Sequence, residues 1–195
     1  MTSGANLILN AMKRFIVTGA PGSGKTALIR LLEVEGFSVI EEAATDVISL
    51  EQALGNAEPW KRASFIDAVA YLQRQRQMRA STQPDEVQFH DRSAFCTAAL
   101  AAYLGYPLSD LLMHELQRLK QDAIFQNHVF FIQNLGFITS TEARRISFEE
   151  TLRFEAIHEK TYRDYGFEIV IINPATVIER AAMIKKAIQE LLHHS

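Results

Sequence analysis

Short apolar runs alternate with longer segments in which apolar residues recur every three or four positions. Arg14-Phe15-Ile16-Val17-Thr18, Phe37-Ser38-Val39-Ile40, Val87-Gln88-Phe89-His90-Asp91, His128-Val129-Phe130-Phe131-Ile132 and Phe167 to Ile172 are too short for helices. Their continuous apolarity suits strands covered on both faces, as in a parallel sheet. Between them, helical spacing predicts helices over Lys25–Glu35, Glu42–Leu54, 58–82, Ala94–Leu104, Leu108–Phe125, a polar stretch ending at Tyr165, and Thr176–Leu192. Gly36 and Gly166 stand where helices stop. Strands separated by helices of ten residues or more require crossover connections, so the expected fold is α/β. It is a three-layer, doubly wound parallel sheet of about five strands.

Residues 1–12 read as a short tail and 13–195 as one domain, with a lid-like segment at about 134–165 that opens in a polar loop over 134–147. Met12 is an alternative start to Met1. With 195 residues, 48% apolar, and a net charge of −3, the chain can bury a sizeable core and is not globally disordered. That charge excludes a dedicated nucleic-acid binder. The lone Cys96 rules out a disulfide scaffold and fits a small core residue in a reducing, cytoplasmic setting. No apolar stretch reaches the length of a membrane span. Residues 60–80 carry Lys61, Arg62, Arg74, Arg76 and Arg79 against the single acid Asp67, which makes either a solvated face or a cationic wall beside a phosphate ligand.

Chemistry concentrates after the first strand. Gly19-Ala20-Pro21-Gly22-Ser23-Gly24-Lys25-Thr26 fulfils G-x-x-x-x-G-K-[ST] with a strand before it and an amphipathic helix after it. Glycines let the backbone curl around an anion, and the helix beginning near Gly24 adds its positive end. Lys25 is expected to reach the β- and γ-phosphates of ATP and the Thr26 hydroxyl to ligate Mg²⁺. Asp91 ends the third strand where the crevice of such a sheet opens, making it the candidate acid for the metal. The following Arg92-Ser93 and the absence of Asp-x-x-Gly, Asn-Lys-x-Asp and Leu-Ser-Gly-Gly set the chain apart from helicase-type ATPases, GTPases and ABC transporters. Glu41 and Glu42 end the second strand, and one of them is the candidate general base. Arg145, with Arg144 or Arg153 as substitutes, is the candidate mobile arginine over the transferred phosphoryl group. His114-Glu115 and His158-Glu159 lack a second His four residues on and read as ordinary helix residues, while His193-His194 reads as a solvated end.

In order and spacing, the P-loop, Val39-Ile40-Glu41-Glu42-Ala43-Ala44, Phe89-His90-Asp91-Arg92-Ser93 and Tyr162-Arg163-Asp164-Tyr165-Gly166-Phe167-Glu168-Ile169-Val170 resemble the NadR-type AAA-like ATPase/kinase family. These are small P-loop proteins related to ribosylnicotinamide kinases, and the match spans about residues 13–190. Asp91-Arg92-Ser93 is also similar to the acid-Arg-Ser motif of deoxynucleoside kinases. The resemblance implies that Asp91 assists magnesium or the base, and that Arg92 holds substrate or phosphate. It also implies that the family's glutamate maps best onto Glu42, and that Asn173-Pro174-Ala175 lies where a purine packs. Where the family often has an arginine three residues after that glutamate, this chain has Thr45. The expected activity is Mg·ATP-dependent phosphoryl transfer to a small hydroxyl-bearing, nucleoside-like acceptor. The alternatives are a partner-driven ATPase or regulator without a small acceptor, and a binder that holds nucleotide without turnover.

Overall fold

A computed structural model describes residues 12–82, 86–134 and 148–193. Five strands, β1 (Lys13–Gly19), β2 (Ser38–Ile40), β3 (Val87–Asp91), β4 (His128–Ile132) and β5 (Glu168–Ile172), form one parallel sheet in the order β2-β3-β1-β4-β5. The helices are α1 (Lys25–Val34), α2 (Ala44–Ala53), α3 (Ser64–Ala80), α4 (Ala94–Leu104), α5 (Asp110–Gln121), α6 (Phe148–Asp164) and α7 (Val177–His193). The α/β three-layer arrangement is the expected one.

The period-two geometry of a strand splits the apolar runs between two cores. On one face Phe15, Val17, Phe89, Phe130, Ile132 and Ile172 pack with Leu28, Ile29 and Leu32 of α1 and Ala181, Ile184 and Ile188 of α7. On the other face Ile16 and Val129 meet α3, α4, α5 and α6 through Phe65, Val69, Phe95, Leu112, Leu116 and Tyr162. Helix α4 is apolar nearly all round, and Ala94 to Ala99 are all buried because it lies beneath α3, α5 and α6. Helix α6 presents Thr151, Phe154, His158 and Tyr162 as its buried stripe.

Three boundaries differ from the sequence expectation. The helix predicted from Glu42 begins at Ala44 with Ala43 at its N-cap, because the Glu42 carboxylate, one residue earlier, turns back to accept from the Ala44 and Thr45 amides at 2.8 and 3.0 Å. The 58–82 stretch is a 3-10 turn over Pro59–Lys61 followed by α3, since the proline starts a turn that Arg62, in an extended conformation, does not continue. The helix predicted over Leu108–Phe125 shrinks to α5, begun by the Ser109 hydroxyl accepting from the Leu112 amide at 3.2 Å. The N-terminal tail, the polar loop at 135–147 and Pro84 lie outside the described residues. No described helix is long and apolar enough to cross a membrane.

Candidate active site

Two glycines set the shape of the loop between β1 and α1. Gly19 has φ +151°, and a Cβ there would stand 2.4 Å from the Ile132 carbonyl oxygen, so only glycine lets the loop leave β1 this close to β4. Gly24, at φ 76°, is the left-handed residue from which α1 starts. Between them the Ser23 amide donates to Ala20 O at 3.3 Å. Lys25 is buried in the first turn of α1 while Thr26, next to it, is exposed.

Strand register brings the acid to this loop. Val17 of β1 pairs with Asp91 of β3, placing the carboxylate beside the residues that open the loop. Lys25 Nζ donates to Asp91 Oδ1 in a contact buried on both sides. Burial and the nearby Arg92 charge lower the Lys25 pKa against the opposing pull of Asp91. Arg92 has φ 71°, an uncommon conformation for a residue with a side chain. Its amide donates to Val17 O at 3.0 Å, its guanidinium to Gly19 O at 3.0 Å, and its Cζ lies 5.8 Å from the Phe154 ring centroid.

The two adjacent glutamates separate as the alternation of an extended chain requires. Glu41 is exposed and pairs with Arg30 at 2.6 Å. Glu42 is half-buried. Burial pushes its carboxyl up, but the Arg92 guanidinium and the Thr45 and Ala44 amides together outweigh that and hold it below the ordinary carboxylate value. Arg76 of α3 fastens the same turn, donating to the carbonyls of Glu41 and Glu42 and pairing with Asp46. The basic residues at 60–80 are thus partly matched with acids and carbonyls: besides Arg76, Arg74 of α3 faces Glu115 at 3.6 Å, and Lys61 in the preceding 3-10 turn pairs with Glu58 at 2.7 Å.

A cleft of about 720 Å³ opens between α1, the end of β2 and α2. Its lining combines Lys25, Thr26, Glu42, Asp91 and Arg92 with Ile29, Val39, Ile48, Ser49 and Gln52. A much smaller cavity, about 20 Å³, lies behind Asp91 against His90, Gln73 and Glu115. Of the expected P-loop residues, Pro21, Lys25 and Thr26 thus share one cleft with Asp91, Arg92 and Glu42. Asn173 and Pro174 are exposed beyond the end of β5, two strands from β1, and do not line this cleft. Arg144 and Arg145 lie outside the described residues. Arg153 is on α6, 5.7 Å from the Tyr103 ring centroid.

Among the described residues no group of three or more His, Cys, Asp and Glu side chains could hold a metal by itself. The predicted donor pair fits a cation bound with phosphates: the exposed Thr26 hydroxyl and the Asp91 carboxylate line the same cleft.

Contacts near the site that the sequence reading did not foresee involve Tyr162, Cys96, His158 and Arg180, of which Arg180 alone was not singled out. The Tyr162 hydroxyl lies 3.1 Å from Ser93 Oγ and 2.8 Å from Cys96 Sγ, which is itself 3.3 Å from Thr18 Oγ1, so a buried polar chain ties α6 to β1 and α4. Cys96 is a buried free thiol within that chain. His158 is buried, with Nδ1 donating to Phe154 O at 2.9 Å. Arg180 of α7 donates to Ser23 O in the loop at 2.7 Å. A signal for it was present: Arg180 stands four and eight residues before Ile184 and Ile188, a charge on the apolar stripe of its helix.

The AAA domain family model matches residues 14–180. The chain belongs to this AAA domain family. No curated protein matches it by sequence. Solved structures similar to it include the deoxyadenosine kinase from M. mycoides with dCMP and dCDP bound, at 12% identity and TM-score 0.63, covering 91% of this chain and 99% of that one. The same kinase with bound dATP gives TM-score 0.58 at 12% identity, with 91% and 99% covered. The NadR protein in complex with NR gives TM-score 0.69 at 18% identity over 93% of this chain, which spans 52% of the NadR chain. At these identities the likeness is one of fold.

Proposed function

We propose that this protein binds Mg·ATP at the Gly19–Thr26 loop and transfers the γ-phosphoryl group to a small, hydroxyl-bearing, nucleoside-like acceptor. The observation that carries the reading is the 720 Å³ cleft, which collects Lys25, Thr26, Glu42, Asp91 and Arg92 and completes its lining with apolar and polar side chains such as Ile29, Val39, Ile48, Ser49 and Gln52. A partner-driven ATPase needs no such chamber beside its phosphates, whereas a kinase needs room for its acceptor. The deoxyadenosine kinase and NadR likenesses support the same choice of class.

Lys25 exchanges Asp91 for the phosphates and neutralises charge that builds on them during transfer. Thr26 and Asp91 would hold magnesium, which would supply positive charge to the phosphates. Glu42 positions the acceptor hydroxyl and accepts its proton. The same cations and amides that lower its pKa keep it ionised at neutral pH. Arg92 spans the loop and acceptor sides of the cleft, and Arg145 is retained as the arginine that closes over the phosphates. Asn173 and Pro174 remain the proposed purine contact, on the β5 side of the loop, away from the acceptor.

The test is ATP consumption with and without a panel of nucleosides and hydroxylated vitamins. Slow loss alone and faster loss with one panel member is the expected result. Indifference to the whole panel, with stimulation by a protein partner, would replace the kinase by the ATPase. Absence of calorimetric heat with every Mg-nucleoside triphosphate would end both.

A further inference from the structure

The carbonyls of a phosphate-binding loop raise a problem that its amides do not. A loop whose N–H groups converge on an anion turns carbonyl oxygens outward, and in a buried setting those oxygens need donors. Ser23 is 1% exposed, so its carbonyl cannot rely on water. The donor is Arg180, itself 2% exposed, through Nη1 at 2.7 Å. Nη2 of the same guanidinium donates to Gln133 O at 3.2 Å, just past the end of β4. Gln133 in turn donates its amide to Ile172 O at 3.1 Å, at the end of β5. One side chain thus links the phosphate loop to the exits of the two strands beyond it.

The placement is built into the first turn of α7. Thr176 and Glu179 form a capping box: the Thr176 amide and hydroxyl donate to Glu179 Oε2 at 2.9 and 2.7 Å, and the Glu179 amide donates to Thr176 Oγ1 at 3.3 Å. Arg180 is the next residue, so the cap fixes the direction in which it leaves the helix. Both of its described acceptors are neutral carbonyls, and Arg180 Nε and Ser23 Oγ have no partner within the described structure. A buried guanidinium without a carboxylate is expensive to maintain unless its charge is used.

We propose that Arg180 is the positioning residue of the phosphate loop: it holds the Ser23 carbonyl turned away from the anion and places an uncompensated positive charge behind the cradle. The affinity part rests on the nucleotide-binding reading, but the loop-holding part does not. It calls for a three-way comparison of the full chain, Arg180→Lys and Arg180→Gln. Lysine keeps the charge and spans one carbonyl at most, while glutamine loses the charge.

Calorimetric titration with Mg·ATP and, separately, Mg·tripolyphosphate should give Kd values rising from wild type through Arg180→Lys to Arg180→Gln. The last should be about 10- to 100-fold weaker, the range for losing a hydrogen bond from a charged donor. The loss should be the same for both ligands, because Arg180 acts on phosphate and not on the base. Amide exchange of residues 20–24 without nucleotide should speed up in the same order. A residue that only glues α7 to the sheet would lower Tm in both variants and leave Kd and loop exchange at wild-type values, and that result overturns the proposal. Should Arg180→Gln fail to fold, Arg180→Lys decides: wild-type affinity with wild-type loop exchange refutes it. If the wild-type chain binds neither ligand, the nucleotide reading falls, and the exchange rates alone still judge Arg180.

Discussion

Judged from its motif, Lys25 is a ligand-binding residue whose loss should leave the fold alone. The structure gives it a second role, because Lys25 and Asp91 form an ion pair with side chains 9% and 10% exposed. Removing one partner of a buried pair strands the other and costs about 3–5 kcal/mol. That is a large share of the roughly 5–15 kcal/mol that holds a domain together. Lys25→Met should therefore unfold about 6–20 °C earlier than wild type, at roughly 2–4 °C per kcal/mol for a chain of this size. Asp91→Asn should suffer less, because the stranded lysine, whose pKa burial already lowers, can shed its proton. Lys25→Met/Asp91→Asn removes both charges and their desolvation together. Its loss should fall short of the sum of the single losses by about 2–3 kcal/mol. Urea unfolding of the four nucleotide-free proteins at pH 7 gives all the numbers. Single losses that simply add would mean that the two side chains do not interact in the folded protein, and the account of the resting site would be wrong.

Gly19→Ala should abolish Mg·ATP binding, since its Cβ would stand 2.4 Å from the Ile132 carbonyl, whereas Gly36→Ala, also at positive φ but with nothing within 4 Å, should lose about 1 kcal/mol of stability and still bind. Calorimetry on both variants decides, and wild-type affinity in Gly19→Ala contradicts the close approach. Glu42→Gln should slow transfer 10²-fold or more with nucleotide Kd unchanged, and cost about 1 kcal/mol of α2 capping. Unaltered turnover removes Glu42 from the reaction. His90 and His158 have pKa values lowered to about 3, by burial first and then by Arg14 and Arg92 respectively. Both are neutral in either state above an unfolded value near 6.5, but below it the unfolded chain binds protons that the folded one refuses. Stability should therefore fall as pH drops from about 6.5 towards 3, by about 2 kcal/mol per histidine at pH 5. His158→Gln should show less of this acid sensitivity in urea unfolding at pH 7 and 5, and an identical loss would show that His158 is not a neutral buried group.

Strand positions were legible because each apolar run is short and bounded, and the parallel direction of the strands follows from helices too long to be anything but crossovers, whereas the strand order was not legible. The P-loop was legible because its glycines, lysine and threonine are adjacent in sequence. What the sequence concealed is long-range. Nothing in Glu42-Ala43-Ala44-Thr45 announces that the carboxylate turns back onto two amides, shortening the helix by two residues. The basic run of α3 looked like a solvated face or a phosphate wall, but its partners Asp46, Glu115 and the Glu41 and Glu42 carbonyls lie 30 or more residues away. Arg180 meets Ser23 across 157 residues, and only its misfit on an apolar stripe hinted at a buried task.

The strained residue in the site follows from the same geometry. Asp91 must face Lys25, while the next residue must finish the β3 ladder against Val17 and begin the turn into α4 at Ser93. An ordinary extended Arg92 would send the chain onward as a sixth strand residue. The left-handed φ bends it instead, so that its amide still reaches Val17 O while its guanidinium doubles back to Gly19 O. Such a conformation costs of order 1–3 kcal/mol and persists only where neighbours over-determine it. Here the ladder bond, the Gly19 carbonyl, the Phe154 ring and the Glu42 and Asp91 charges do so together. The strain thus lets two consecutive residues deliver an acid and a cation to the same cleft from a single strand end.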